Sequence, residues 1–429
     1  MKFFKKPLFF FLWSFVAAFL AYASMYAFRK PFNSGSYTNY ELFNLPLKDV
    51  LLISQILGYM LSKFIGIKVI SEMTKSTRVG LIFKLIIFAH LALLLFAIVP
   101  VHFKFICLFA NGLPLGMVWG VIFSFLEGRK LTELLATGIA VGAIISSGIV
   151  KSIALYIMDN SFYSVPEFWM PFVTGLIFLP VLLIASWMLS VIPEPTAADK
   201  RAKTERIPMN KAQKRSVLKK YLPGIISLVI LYLMQTIFRD FRDNFSVELF
   251  NHYHFTDKSQ FLTMEFTIGF IVIFTTSLIV IFKNNLFGFQ ASLILSGLGF
   301  TLMLIAELLF GFGQINFFYL MLFSGLGMSI GYVPFQIALF ERFIAAFQIA
   351  GNVGFLMYIS DSLGYLGSVS ILFSKNAGLI NIDNVELFHM LIFGCGIIGL
   401  IATIFSVFYF KVKYKKEILT FFNVNNMRI

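Results

Sequence analysis

Long apolar blocks alternate with short polar breaks along the chain. The blocks run for about 20 residues or more, roughly the length a helix needs to cross hydrocarbon. They are not the alternating ten-residue segments of a membrane barrel. Twelve helical spans are predicted, at approximately 8–32, 50–70, 78–99, 103–126, 135–157, 168–191, 222–246, 261–283, 287–311, 315–340, 345–373 and 386–410. One long polar insert interrupts them, PEPTAADKRAKTERIPMNKAQKRSVLKK at 193–220. It predicts a cytoplasmic linker ending in an amphipathic helix. The expected fold is therefore all-α and polytopic, with a six-helix bundle at 1–192, a linker at 193–221 and a second six-helix bundle with a cytoplasmic tail at 222–429.

Composition agrees with the pattern. Of 429 residues, 59% are hydrophobic and 13% charged, with a mean hydropathy of +0.85. A soluble domain is nearer half apolar and a quarter charged. The net charge of +14 would suit a nucleic-acid partner if it lay on a folded basic module, but it does not. With the N-terminus inside, 23 Lys and Arg fall in inner segments, and only Lys48, Lys104, Lys258 and Lys375 fall in outer loops. That asymmetry predicts an inner-membrane protein with both termini cytoplasmic. Ala21-Tyr22-Ala23 imitates a signal-peptidase site, but the apolar stretch before it is too long for a secretory leader.

Candidate chemistry is sparse outside the buried charges. Cys107 and Cys395 sit in apolar segments without disulfide or metal spacing. His252-Tyr253-His254 has no carboxylate or cysteine set to complete a metal site, and His389 reads as an interior histidine. No phosphate-binding loop, nucleophile elbow or zinc signature is present. No enzyme activity, cofactor or metal is expected. The expected partners are a small anionic substrate and the lipid bilayer, with no nucleic acid, and the chain is expected to be monomeric.

The two halves echo each other. GMVWG begins at Gly116 and GMSIG at Gly327. Phe28-Arg29 returns as Phe238-Arg239, and IAVG at 139–142 is followed by GNVG at 351–354. Three matches at nearly one offset argue for a duplicated six-helix unit, as in secondary transporters with internal repeats. A 6+6 layout with a basic central loop resembles the major facilitator superfamily.

Several motifs resemble the organophosphate:phosphate antiporters of that superfamily, the glycerol-3-phosphate and hexose-phosphate transporters. They are Tyr22…Tyr26-x-x-Arg29-Lys30, GYMLSKF (58–64), NGLPLGMVWG (111–120), FRDFRDNF (238–245) with TDKS and MEF after it, and LGYLGSV (363–369). The resemblance implies phosphate binding by Arg29 and Arg239, with Lys63 near the pathway. Departures are visible. The family's histidine in the fifth helix has no counterpart in TGIAVGAIISSG (137–148), Gly120 follows Trp119 where a proline is expected, and Glu72 stands where the superfamily's gating loop has Asp.

Ionisable residues inside spans are functional candidates by default, because each costs about 2.5–3.5 kcal/mol at mid-bilayer. Guanidinium presents a planar fork that fits phosphate or carboxylate, so Arg29 and Arg239, one from each half, are expected to clamp an anion. Read alone, Arg29 also suits a snorkelling residue at the outer end of the first helix. Lys63, Tyr22, Tyr26, Trp119 and Arg242 are further substrate-site candidates. Asp240 and Asp243, each following an arginine, are ion-pair or releasing partners. Lys151 is expected to pair with a carboxylate. Glu265 and Asp361 are ion-pair or proton-coupling candidates. Glu127-Arg129 and Glu341-Arg342 form a repeated pair expected to gate the inner side. These residues predict a secondary carrier of a small organic anion by alternating access, and the resemblance implies a phosphate ester exchanged for phosphate. The alternatives are a proton-coupled symporter of another anionic metabolite and a transporter-like membrane sensor.

Overall fold

The computed structural model describes residues 6–71, 73–127, 129, 132–159, 164–196, 199, 211–255, 257–349, 354–376 and 382–426. Glu72, residues 351–353 of the GNVG echo and most of the 193–221 linker lie outside them. Among the described residues there are twelve long helices: α1 (Pro7–Tyr26), α2 (Leu47–Ser71), α3 (Arg78–Ile98), α4 (Lys104–Leu126), α5 (Thr132–Met158), α6 (Met170–Ser190), α7 (Lys211–His252), α8 (Ser259–Ile281), α9 (Asn285–Gly311), α10 (Phe317–Ala346), α11 (Gly354–Asn376) and α12 (Asn384–Asn426). Eleven are long and apolar enough to cross a membrane. The other is α11, whose 23 residues include Asp361 and a run of serines and glycines.

Local chemistry sets the helix ends. α1 starts at Pro7, where the missing N–H has no helical partner to lose. It stops at Tyr26, earlier than the apolar pattern suggests, and Pro31 opens a short 3-10 turn, Pro31–Ser34. A proline cannot donate to the preceding turn, so the helix is not continued through Pro31 even though Lys30 keeps helical backbone (φ −101°, ψ −15°). Side-chain caps start three later helices: Asn284 accepts from the amides of Leu286 and Phe287, Asn316 from Tyr319, and Asp383 from Val385 and Glu386. α10 passes through a π turn at Phe335–Leu339. α7 kinks at Tyr221 (φ −118°, ψ 17°), just before Pro223.

The chain clusters into two compact units. The first holds Met1–Thr204, Asp240–Phe274 and Tyr365–Phe388; the second holds Glu205–Arg239, Thr275–Gly364 and His389–Ile429. In the first, α2 packs closely on α4 through glycine. A Cβ on Gly58 would lie 2.2 Å from the Phe109 carbonyl oxygen, and one on Gly112 would lie 2.3 Å from that of Gln55. Hydrocarbon offers no hydrophobic drive for helix association, so close backbone packing of this kind supplies it. Large apolar side chains such as Phe270, Phe274, Ile401 and Phe408 are exposed, as lipid-facing surfaces require.

Candidate substrate site

In the first unit the site is built on the broken end of α1. Past Tyr26 the amides of Phe28, Arg29 and Lys30 still bond back to Met25 and Tyr26, but the buried carbonyls of Phe28 and Arg29 turn to side-chain donors. At membrane depth this is tolerated only where the protein itself satisfies the freed groups. Two buried amides do so. Asn111 Nδ2 donates to the Phe28 carbonyl at 3.0 Å and to the Ala89 carbonyl at 3.0 Å. Gln55 Nε2 donates to the Arg29 carbonyl at 2.9 Å and to Asn111 Oδ1 at 2.8 Å. Each amide nitrogen thus uses both hydrogens, which fixes the turn that carries Arg29.

Arg29 is 6% exposed. Its guanidinium carbon lies 3.8 Å from the centroid of the Tyr59 ring, and its buried Nε has no hydrogen-bond partner. Among the described residues no carboxylate comes within ion-pair distance of it, although Asp240 acts on its charge electrostatically. Lys63 Nζ lies 5.1 Å from the same ring. Tyr59 meets Tyr365 edge-on at 5.2 Å, and Tyr22 meets Tyr26 at 5.5 Å. Trp119 stacks on Phe123 at 4.9 Å.

The neighbouring cations are paired. Lys30 Nζ lies 2.6 Å from Asp243 and Lys151 Nζ 2.5 Å from the same carboxylate, which also accepts from the Ser147 hydroxyl. Lys30 and Asn33 both donate to Asn244 Oδ1, at 2.9 and 2.8 Å. Arg242 pairs with Glu265 on α8 at 3.0 Å and touches the Met264 sulfur. Asp240 accepts from Ser368 at 2.9 Å. The described ion-pair partners of Asp243 are therefore Lys30 and Lys151, not the preceding Arg242. Adjacent helical residues diverge and do not face each other.

In the second unit the guanidinium carbon of Arg239 lies 4.4 Å from the centroid of Tyr332. The Tyr332 and Tyr232 hydroxyls are 3.1 Å apart, and Gln336, within the π turn, donates to them at 2.9 and 2.5 Å. Tyr232 donates to Asp361, which is 7% exposed. π turns recur at functional positions. Here the turn brings a polar amide to the tyrosines.

The two arginines of the expected gate each bond to a backbone carbonyl of their own unit. Arg129 donates to the Pro193 carbonyl and lies 5.0 Å from the Phe10 ring centroid. Its burial lowers its proton affinity, which Asp199 partly offsets. Arg342 donates to the Phe282 carbonyl at 2.7 Å. Sequence reasoning overlooked Gln55, Tyr59, Ser147, Tyr232, Tyr332 and Gln336. The amides carried a usable signal, since polar groups inside apolar blocks need partners.

The twelve long helices among the described residues, with ionisable side chains buried among them, define a polytopic helical membrane protein. Its fold is the major facilitator fold. The chain is similar to a solved D-xylose-proton symporter, with a TM-score of 0.59 and 15% identity over 92% of this chain and 96% of that one. That is one of 235 solved chains that match it. Residues 31–413 match the model described as a family of unknown function, DUF5690, and the chain belongs to that family. No curated protein matches it in sequence.

Proposed function

We propose that the protein is a secondary carrier for a small organic anion, with Arg29 as an anion-binding group. One observation carries the reading: Arg29 is a buried cation with no carboxylate at ion-pair distance among the described residues, Asp240 acting on its charge without pairing to it, while Lys30, Lys151 and Arg242 are each held in an ion pair. An unpaired buried charge is strongly unfavourable. The Tyr59 face offsets about 2 kcal/mol when desolvated, and an arriving anion supplies the rest. The guanidinium fork suits a phosphate ester or a carboxylate, and the tyrosines around the turn offer hydroxyl donors. Arg239 against Tyr332 is the second candidate anion-binding group. We take the cargo to be a phosphate ester exchanged for phosphate, with both chain termini cytoplasmic. An empty cationic site crosses low dielectric poorly, which favours exchange.

Proton-coupled symport of another anionic metabolite is the second reading. A buried carboxylate hydrogen-bonded to tyrosine, Asp361, supports it, and one similar solved structure is that of a D-xylose-proton symporter. Purified protein in liposomes separates the two. Exchange predicts that glycerol 3-phosphate or glucose 6-phosphate enters only when phosphate or another anion is loaded inside. Uptake driven by a pH gradient into vesicles without counter-anion sinks exchange and favours symport. Full transport by both Arg29→Lys and Arg239→Lys rules out both arginines as anion-binding groups.

A further inference from the structure

We propose that the segment of α7 before Pro223 and the segment of α12 beyond Phe410 form one cationic platform that binds the headgroup phosphates of anionic phospholipids. Each helix is longer than a membrane crossing needs. α12 has 43 residues and α7 has 42. At about 1.5 Å per residue each exceeds roughly 60 Å, about twice the hydrocarbon thickness. The apolar run of α12 ends at Phe410, and Lys411, Lys413, Lys415 and Lys416 follow within two turns. The leading segment of α7 carries Lys211, Lys214, Arg215, Lys219 and Lys220 up to the kink.

These runs are distant in sequence but joined in the second unit. The Tyr221 hydroxyl lies 2.9 and 3.0 Å from the two Glu417 carboxylate oxygens, across 196 residues of chain. Lys220 pairs with the same carboxylate at 3.0 Å, and Lys413 Nζ is 5.6 Å from the Tyr221 ring centroid. Tyr221 is itself held edge-on against Phe343 and Phe347, and Phe347 meets Tyr414. Glu417 is the one carboxylate in residues 211–220 and 411–417, against nine cations. Tyr221 and Lys220 already occupy it. Lys214, Arg215, Lys219, Lys411, Lys415 and Lys416 remain exposed. Charges at the end of a hydrocarbon-length segment stand at headgroup depth, where each Lys or Arg attracts anionic lipid. The positive-inside rule explains cations on one side of a membrane. It does not explain why two remote runs are hydrogen-bonded into one surface.

The test uses the full chain in detergent, titrated with phosphatidylglycerol or phosphatidylcholine and read by native mass spectrometry. Wild type should retain phosphatidylglycerol in preference to phosphatidylcholine, and inorganic phosphate should not displace it. Lys214→Gln, Lys219→Gln, Lys415→Gln and Lys416→Gln together should weaken retention by about tenfold or more. Tyr221→Phe keeps every charge and should weaken it by about threefold by unpinning the runs. A quadruple variant that binds like wild type overturns the proposal, as does displacement by inorganic phosphate. Wild-type binding by Tyr221→Phe overturns the joined site, leaving two independent charged surfaces.

Discussion

Arg29 and Lys30 are neighbours in sequence and equally hidden, at 6% and 5% exposure, yet their surroundings are opposite. Lys30 ends on a carboxylate shared with Lys151 and on the amide oxygen of Asn244. Arg29 ends on an aromatic face, with a buried nitrogen unpartnered. A paired buried cation joins elements and leaves nothing for a ligand to gain. An unpaired one gives up stability that a ligand can restore. Burial alone therefore does not mark a binding residue; the partner does.

The largest effect expected from this contrast is on stability. Asp243→Asn removes the carboxylate from two buried ammonium groups and should cost about 3–5 kcal/mol, seen as a lowered unfolding temperature in detergent. Adding Lys151→Met to Asp243→Asn should recover part of the loss. The surviving Lys30 still has Asn244 as an acceptor. A double variant as unstable as the single one means that Lys151 does not depend on Asp243.

Arg29→Ala should behave in the other way. Anion affinity should fall by about 100-fold or more, the scale for truncating one side of a buried charged contact. Unfolding should shift by no more than about 1 kcal/mol, because no carboxylate loses an ion-pair partner and Asp240, which acts on Arg29 without pairing to it, keeps its bond from Ser368. Binding is read by phosphate or glycerol 3-phosphate protection in a thermal-shift titration, and stability by the unliganded midpoint. A destabilisation as large as that of Asp243→Asn places Arg29 among the paired cations and breaks the contrast.

The sequence made some of this legible and hid the rest for physical reasons. Spans were readable because apolar length is a direct membrane constraint, and ionisable residues stood out against them. The end of α1 was not readable from hydropathy, since Ala27, Phe28 and the residues around them remain apolar while the backbone leaves the helix. Nor was the sorting of cations. Asp240 and Asp243 stand beside Arg239 and Arg242 in FRDFRDNF, but Asp243 reaches Lys30 and Lys151, 213 and 92 positions away. Such pairings belong to tertiary packing. Asn111 lay inside NGLPLGMVWG, a motif noticed for its likeness to known transporters. Its work, holding the turn of Arg29, is visible only in three dimensions.

That turn offers an intermediate test. Gln55→Met keeps the side-chain length and leaves the Arg29 carbonyl and Asn111 Oδ1 without their donor. Orphaned buried acceptors cost about 1–3 kcal/mol, so a moderate loss of stability is expected. If the amides position Arg29, anion affinity falls with it, and Gln55→Glu does not restore it because a carboxylate cannot donate. Unchanged affinity in a destabilised Gln55→Met protein means that the amides support the fold without steering the arginine.

The smallest expected effect compares two cations on one ring. Arg29 lies 3.8 Å from the Tyr59 centroid and Lys63 5.1 Å, and Lys63 is half-buried. A partly solvated ammonium over an aromatic face is worth about 0.5–1 kcal/mol, so Lys63→Gln should change anion affinity only about two- to fivefold. Its unfolding midpoint should stay near wild type in the same thermal-shift measurement. A loss approaching that of Arg29→Ala would make Lys63 a direct ligand of the anion, and the distinction would then run between cations facing tyrosine and cations facing aspartate. A loss confined to a few fold keeps Arg29 as the group whose missing partner is the cargo, with Lys63 adding only to the local positive potential.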